Sequence, residues 1–355
     1  MIHSIIVGYG LAGLSYAAQL KQNQKDFVII DSTAGGNATR KAAGVMNPTV
    51  LKRYTLAWNA TQFITYAQDF YLRLEALLKE TLLEPSPIHR HFLDPTEQNY
   101  WVTASNSSAL QPYLATDFSK VLEAEYKGGF GCGHVKTTAR LKTQKALEAF
   151  KNNLNDQEFN EAIFDYEALE IYDDHIAYKN IKAEQVVFCE GYGLKSNPFF
   201  NTLPLNGSKG ELLLIKAPKL PRDRMIKAHG IFIVPYEEEQ FWVGATFNPK
   251  DKTTLPTDHA RDWLLIRLNR TIDVPFKIIT QNVCIRPTVA DRRPLLGQHP
   301  IHKKLYLYNG LGTRGVLMSP LLSQWIFDFI TNGSPLPPAV NINRFDSSTS
   351  LKTIL

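Results

Sequence analysis

The stretch Ser4-Ile5-Ile6-Val7-Gly8-Tyr9-Gly10-Leu11-Ala12-Gly13 is an apolar strand running straight into three glycines spaced Gly-x-Gly-x-x-Gly. That spacing reads as a dinucleotide site. Gly8 permits the tight turn out of the strand, Gly10 lets the backbone approach a pyrophosphate, and Gly13 lets the following helix, expected over Leu14 to Leu20, pack close on the sheet. The helix mouth at Leu11 and Ala12 then offers unpaired N–H groups and a favourable dipole to the phosphates. Such a motif alone is weak, because a turn before any helix can mimic it. Here a second strand, Phe27-Val28-Ile29-Ile30, delivers Asp31 about 20 residues downstream, where a carboxylate accepts a ribose hydroxyl. Strand, helix and acid together decide for a dinucleotide.

With 355 residues the chain exceeds what one core usually supports, so two domains or one large elaborated unit are expected. Hydrophobic residues at 44% and charged residues at 21% describe a globular chain, and no apolar run approaches the roughly 20 residues of a membrane helix. No basic region or cleavage site precedes the first strand, so no signal peptide is read and a cytoplasmic address is expected. Cys132, Cys189 and Cys284 are odd in number and far apart, which suits reduced thiols rather than a disulfide framework or a zinc site, and no metal is expected. The net charge of +5 suits an anionic ligand, yet 39 basic against 34 acidic side chains is an ordinary solvated balance that does not imply nucleic acid.

Beyond Asp31 lie a glycine-bearing connection, Ala34-Gly35-Gly36-Asn37, and the segment Ala38 to Pro48. Residues 57 to 82 carry apolar positions at helical spacing and predict a helix. Pro85, Pro87 and Pro95 are read as breakers, and residues 88 to 131 as short apolar runs with turns, ending in the cluster Gly128-Gly129-Phe130-Gly131-Cys132-Gly133. That cluster is read as a turn. A helix over Thr143 to Asn153 is followed by short β segments at 161–164, 168–172, 175–178 and 183–189. A second β-rich block covers 211–215, 230–234, 241–245 and 278–285, with a helix over 257–268 between. A strand at 305–308 and a final helix over 317–331 close the pattern, and the tail after Pro335 is polar and expected to be partly ordered.

Four blocks together are similar to the D-amino-acid oxidase and glycine oxidase family of flavin-dependent amine oxidoreductases: the N-terminal fingerprint with Asp31; Ala38-Thr39-Arg40-Lys41-Ala42-Ala43-Gly44-Val45-Met46-Asn47-Pro48; Val186-Val187-Phe188-Cys189-Glu190-Gly191; and a C-terminal pair, Ile285-Arg286-Pro287 through Gly297 with Asn309-Gly310-Leu311-Gly312-Thr313-Arg314-Gly315-Val316. The resemblance spans nearly the whole chain. It implies an α/β fold, a Rossmann-type FAD-binding domain with a second, β-rich substrate domain of antiparallel sheet plus helices. The order of the blocks makes the FAD-binding domain discontinuous, over 1–82, 134–204 and 286–355, and leaves 83–133 and 205–285 to the substrate domain. FAD is the implied cofactor. Contacts are expected from Gly8, Gly10, Leu11, Ala12, Gly13 and Asp31; from Thr39, Arg40, Lys41, Ala43, Gly44 and Asn47, small enough for a flat ring or able to donate to it; and from Gly191, Arg286, Gly312, Thr313, Gly315 and Val316. The helix after Gly315 would turn its N-terminal N–H groups toward the pyrimidine end of the ring and stabilise its anionic reduced form. No cysteine or histidine matches the flavin-linking positions of sarcosine oxidases, so the FAD is expected to be noncovalent.

Arg286 matches the arginine of the family's Arg-Pro motif, which grips the substrate carboxylate through two parallel hydrogen bonds. Phe232 stands where glycine oxidase has a tyrosine, so a hydroxyl is lost and a larger or more apolar amine gains ground. Tyr236 is the candidate to replace it. Thr313 occupies the place of a second basic residue of glycine oxidases, with Arg314 one position on; both are assigned to substrate binding. The chemistry implied is hydride transfer from Cα–H to flavin N5, hydrolysis of the resulting imine by water, and reoxidation by O2 or another acceptor. No catalytic acid or base is assigned, and His89, His91, His134 and His229 are read as structural or exposed. Two alternatives stand beside a small-amine oxidoreductase. The C-terminal block, Gly312-Thr313-Arg314-Gly315 with Ser319-Pro320, also resembles the oxidase domain of the bifunctional tRNA wobble-uridine modification enzyme, for which Lys120, Lys127, Lys136, Arg140 and Lys142 would form the basic face. The other is a flavoprotein that binds FAD without turnover.

Overall fold

The computed structural model describes residues 1–32 and 37–345; the glycine connection at 34–36 and the tail from 346 lie outside the described residues. Two eight-stranded sheets organise the chain. In the first, Ile2–Val7 runs parallel to Phe27–Asp31 on one side and Ile181–Phe188 on the other. Its apolar run is divided by the pleat. Ile6 enters the cluster formed with the helices Leu11–Gln22, Ala60–Leu78 and Gly315–Asn332, while Ile5 and Val7 enter the opposite cluster with Phe164, Tyr178 and Phe188. A strand covered on both faces needs no polar alternation, which is why this one reads as continuous hydrophobe.

Ile181–Phe188 changes partner midway. Residues 181–183 pair antiparallel with the hairpin strand Ile176–Tyr178, and residues 186–188 pair parallel with Leu305–Leu307. The C-terminal block is thereby brought beside the N-terminal fingerprint. Short segments shift at their ends: the strand expected at 161–164 lies at Phe159–Glu161, since its partner ends at Asp31 and Phe164 instead turns in to stack on Tyr178 at 4.4 Å.

The second sheet has the order 277–286, 208–216, 240–244, 231–235, 225–228, 88–91, 132–135, 114–119. Its pairs are antiparallel except for 225–228 with 88–91. One face packs against the helix Asp258–Thr271 through Leu213, Ile226, Ile233, Leu264 and Leu268. The other carries Ile88, Val135, Met225 and Val234 against Trp101, and further along presents Phe232 and Trp242.

A helix at Pro95–Ser105 corrects the reading of Pro95 as a breaker. Asp94 accepts from Glu97 N at 2.8 Å and Pro95 sits in the first turn, where a missing N–H costs nothing, so Asp94-Pro95-Thr96-Glu97 is a helix start. Gly128 and Gly131 of the glycine cluster have positive φ, and Gly133 lies under Trp101, where a Cβ would sit 2.2 Å from the indole. Only the first part of the cluster turns the chain: Cys132 and Gly133 already belong to the strand Cys132–Val135.

Candidate active site

The fingerprint is closed by backbone contacts. Gly8, at φ +98°, donates to Ile30 O at 2.9 Å, and a Cβ there would meet Cys189 O at 2.8 Å. At Gly13 a Cβ would lie 2.0 Å from Gly8 O, so the helix axis approaches the turn as only glycine allows. Asp31 accepts from Tyr9 N at 2.9 Å, Asn37 donates to Tyr9 O at 2.8 Å, and Thr39 Oγ1 accepts from Leu11 N at 3.0 Å. Three side chains thus hold the glycine turn. Burial pushes the Asp31 carboxyl up, and the Tyr9 N–H offsets only part of that rise.

The turn opens into a cavity of about 850 Å³ that reaches the face of the second sheet. Gly8, Gly10, Leu11, Ala12, Asp31, Thr39, Lys41, Ala43, Gly44, Asn47, Gly191, Phe232, Arg286, Gly312, Thr313, Arg314, Gly315 and Val316 all line it. Two expected contacts do not. Gly13 lies within the first turn of the helix, on the side packed against Gly8 O, and Arg40 turns away to Glu148 at 3.8 Å. The helix Gly315–Asn332 begins at the cavity wall, as does Leu11–Gln22, so two helix N-termini face one space. Trp242 donates to Lys41 O at 3.0 Å and Lys41 to Asn282 Oδ1 at 2.9 Å, which fastens the 38–48 segment to the second sheet.

Arg286 ends the strand Lys277–Arg286. Both its terminal nitrogens donate to Thr246 O at 3.2 Å, and among the described residues no carboxylate pairs with it. Burial holds its pKa below the ordinary arginine value. Room for the guanidinium comes from Gly210 on the neighbouring strand, where a Cβ would lie 2.0 Å from Nη2. Arg314, by contrast, donates to Asn47 O at 2.8 Å and Thr49 O at 3.0 Å, tying the final helix to the 38–48 segment. Tyr236 donates to Gln144 Oε1 at 2.6 Å outside this cavity, so it brings no hydroxyl to the wall at Phe232.

Sequence reasoning missed Lys227. Its ammonium lies 4.4 Å over the Phe232 ring and donates to Gly230 O at 3.0 Å on the cavity wall, and burial brings its pKa down to about 7. The signal was the register: Lys227 pairs directly with Phe232 across antiparallel strands, so both share one face. Gly210 and Trp242 were missed for the same reason. None of His89, His91, His134 or His229 lines the cavity; burial draws His89 down to about 4 and His91 to about 3. Cys189 and Cys284 line it as free thiols, both pushed up by burial.

A glycine turn at a helix mouth, a carboxylate at the next strand end and a long cavity ending on a β-rich wall define a dinucleotide-dependent oxidoreductase. Residues 3–329 match the family described as FAD dependent oxidoreductase, and the chain belongs to it. It is 24% identical to glycine oxidase from Pseudomonas putida (94% of this chain, 95% of the relative). It is 22% identical to a tRNA 5-methylaminomethyl-2-thiouridine biosynthesis bifunctional protein of Marinobacter nauticus, over 92% of this chain and 55% of that one. The fold is shared with glycine oxidase from Bacillus cereus, with a TM-score of 0.78 at 19% identity over 94% of this chain and 96% of that one.

Proposed function

We propose that this FAD-dependent oxidoreductase oxidises the C–N bond of an amino acid, or of a related small amine that carries a carboxylate. The observation that carries the reading is Arg286: a guanidinium at the cavity wall, held by one backbone carbonyl and lacking an acid among the described residues. Such a group is poised for an anionic ligand, which it can take through two parallel hydrogen bonds. Relatives with glycine oxidase activity in their names support the same class.

The cavity fits the cofactor. Gly191 and Gly312 line it at φ +58° and +57°, and a Cβ would meet nothing within 4 Å at Gly191 and nothing nearer than 3.6 Å at Gly312, so side chains there would take up cavity space. When bound, FAD supplies the hydride acceptor and passes the electron pair to O2 or another acceptor. The chain's own residues bind and orient. We assign Gly8, Gly10, Leu11 and Ala12 to the pyrophosphate, Asp31 to the ribose, and Lys41, Ala43, Gly44 and Gly312 to Val316 to the ring end. Arg286 fixes the substrate carboxylate, and Phe232 and Trp242 wall off water. Noncovalent attachment predicts that acid precipitation releases the yellow chromophore; colour kept in the pellet would overturn it.

We also propose two units built on the two sheets: a discontinuous FAD unit over 1–82, 134–204 and 286 onward, and a substrate unit over 83–133 and 205–285. The strand Cys132–Val135 belongs to the second sheet, which moves that seam to 135. No helix among the described residues is long and apolar enough to cross a membrane, and three free thiols suit the reducing cytoplasm we assign.

Action on a carboxymethylamino group of tRNA is the second reading, supported by the Marinobacter relative. The candidate basic face counts against it. Arg140 is buried beside Glu84, Lys142 pairs with Glu84, and Lys127 pairs with Asp273. Anaerobic titration with glycine, sarcosine, proline and D-amino acids tests the proposal: bleaching of the flavin band by a carboxylate-bearing amine supports it. Absence of bleaching by every free amine would leave the tRNA reading or a binding-only flavoprotein.

A further inference from the structure

Two short sequence pairs meet on the face of the second sheet turned away from the cavity. His89-Arg90-His91 and Cys132-Gly133-His134 occupy adjacent antiparallel strands, with His89 opposite His134 and His91 opposite Cys132. Residues two apart on a strand, and residues directly opposite, share a face, so all four side chains lie on the same side of the sheet. Ligand atoms of His89, Cys132 and His134 all lie within 4.8 Å of one another. The His89 and His134 rings are 4.2 Å apart, and Cys132 Sγ is 4.0 Å from His134 Nε2.

These are polar groups with few other outlets. Among the described residues that sulfur–nitrogen contact is the one side-chain hydrogen-bond contact His89, Cys132 or His134 makes. His91 is 2% exposed, and its buried Nδ1 has no hydrogen-bond partner among the described residues. A buried polar atom without a partner costs free energy that a ligand would recover.

We propose that His89, Cys132 and His134 form a site for a borderline-soft divalent metal ion, Zn2+ in the first instance, with His91 beside it as the fourth donor. Thiolate and imidazole are the donor set zinc prefers in closed tetrahedral sites. Bonds of about 2.3 Å to sulfur and 2.0 Å to nitrogen put tetrahedral ligands roughly 3.5 Å apart. The 4.0 Å contact therefore needs only a small side-chain shift. Metal there would join Ile88–His91 to Cys132–Val135, and Ile88–His91 is the strand beside Met225–Ala228, which carries Lys227. The site does not touch the cavity, since none of its four residues lines it. It is independent of the amine-oxidase reading.

The test uses the FAD-loaded full chain, stripped with a chelator and dialysed against Zn2+. One zinc per chain and a raised Tm are expected. Cys132→Ser, His89→Gln and His134→Gln should each lower zinc affinity at least about tenfold and erase the Tm rise, and His91→Gln should lower affinity as well; exposed His259→Gln should change nothing. Flavin content reports whether each variant has folded. Co2+ gives a readout on the wild-type chain itself: a sulfur-to-cobalt charge-transfer band in its difference spectrum. Substoichiometric zinc, zinc bound equally by Cys132→Ser, or cobalt bound without the sulfur band would each overturn the assignment. Unchanged affinity in His91→Gln would overturn the fourth ligand.

Discussion

The two ends of the cavity are built from different material. At the fingerprint end, walls are backbone: Gly8, Gly10 and the mouths of two helices leave room, and Asp31, Asn37 and Thr39 brace the turn rather than reach across it. At the other end, walls are side chains projecting from one sheet face, with Arg286 and Lys227 as its cations and Phe232 and Trp242 as its rings. A backbone site recognises what every dinucleotide has, namely phosphate and ribose. A side-chain site is free to change with the substrate.

By that contrast, a single side chain added to a glycine should do most damage at the backbone end. Gly13→Val places carbon against Gly8 O, where a Cβ would already stand at 2.0 Å, and the expected cost is about 3 kcal/mol or more with loss of FAD. Flavin absorbance per chain and Tm check this; full flavin content would break the comparison. At the substrate end Arg286→Lys should keep FAD. Replacing a two-pronged grip by a point charge should cost about 1.5 to 3 kcal/mol, or roughly one to two decades in kcat/KM. A decarboxylated amine should be nearly indifferent, and equal losses on both substrates would make Arg286 a structural residue.

Gly210→Ala sharpens the same point without touching the arginine. Its methyl would meet the guanidinium, so kcat/KM for carboxylate substrates should fall about tenfold while flavin content holds. The smallest effect is expected at Lys227, whose pKa of about 7 leaves it charged below neutrality and neutral above. KM for an anionic substrate should therefore rise about two- to fivefold as pH passes upward through 7. In Lys227→Met that rise should disappear, with KM at low pH matching the wild type's high-pH value. A KM profile that keeps its inflection in Lys227→Met would assign the titration elsewhere.

Much of the fold was legible because parallel strands buried on both faces and long amphipathic helices are local patterns. The strand at Ile2–Val7, the acid at Asp31 and the helices at 60–78 and 315–332 announce themselves in periodicity and glycine spacing. The helix at Pro95–Ser105 was hidden because proline is punctuation in a loop and a start signal after an N-cap, and Asp94 decides between the two. Thr39, read as a donor toward the cofactor, lines the cavity and also accepts the Leu11 N–H, and Arg314 grips carbonyls of the neighbouring segment.

By itself the sequence determined the cofactor end, since a glycine that must be absent of side chain, and an acid at a strand terminus, are constraints written one residue at a time. At the other end the sequence named Arg286 and Phe232, and tertiary structure alone supplied their neighbours and the histidine–cysteine cluster. Lys227 meets Phe232, Gly210 makes way for Arg286, and His89 faces Cys132 and His134 only through strand register. Register is a property of pairs: a shift of one residue would send each of these side chains to the opposite face, and nothing local in either strand records which partner it will meet.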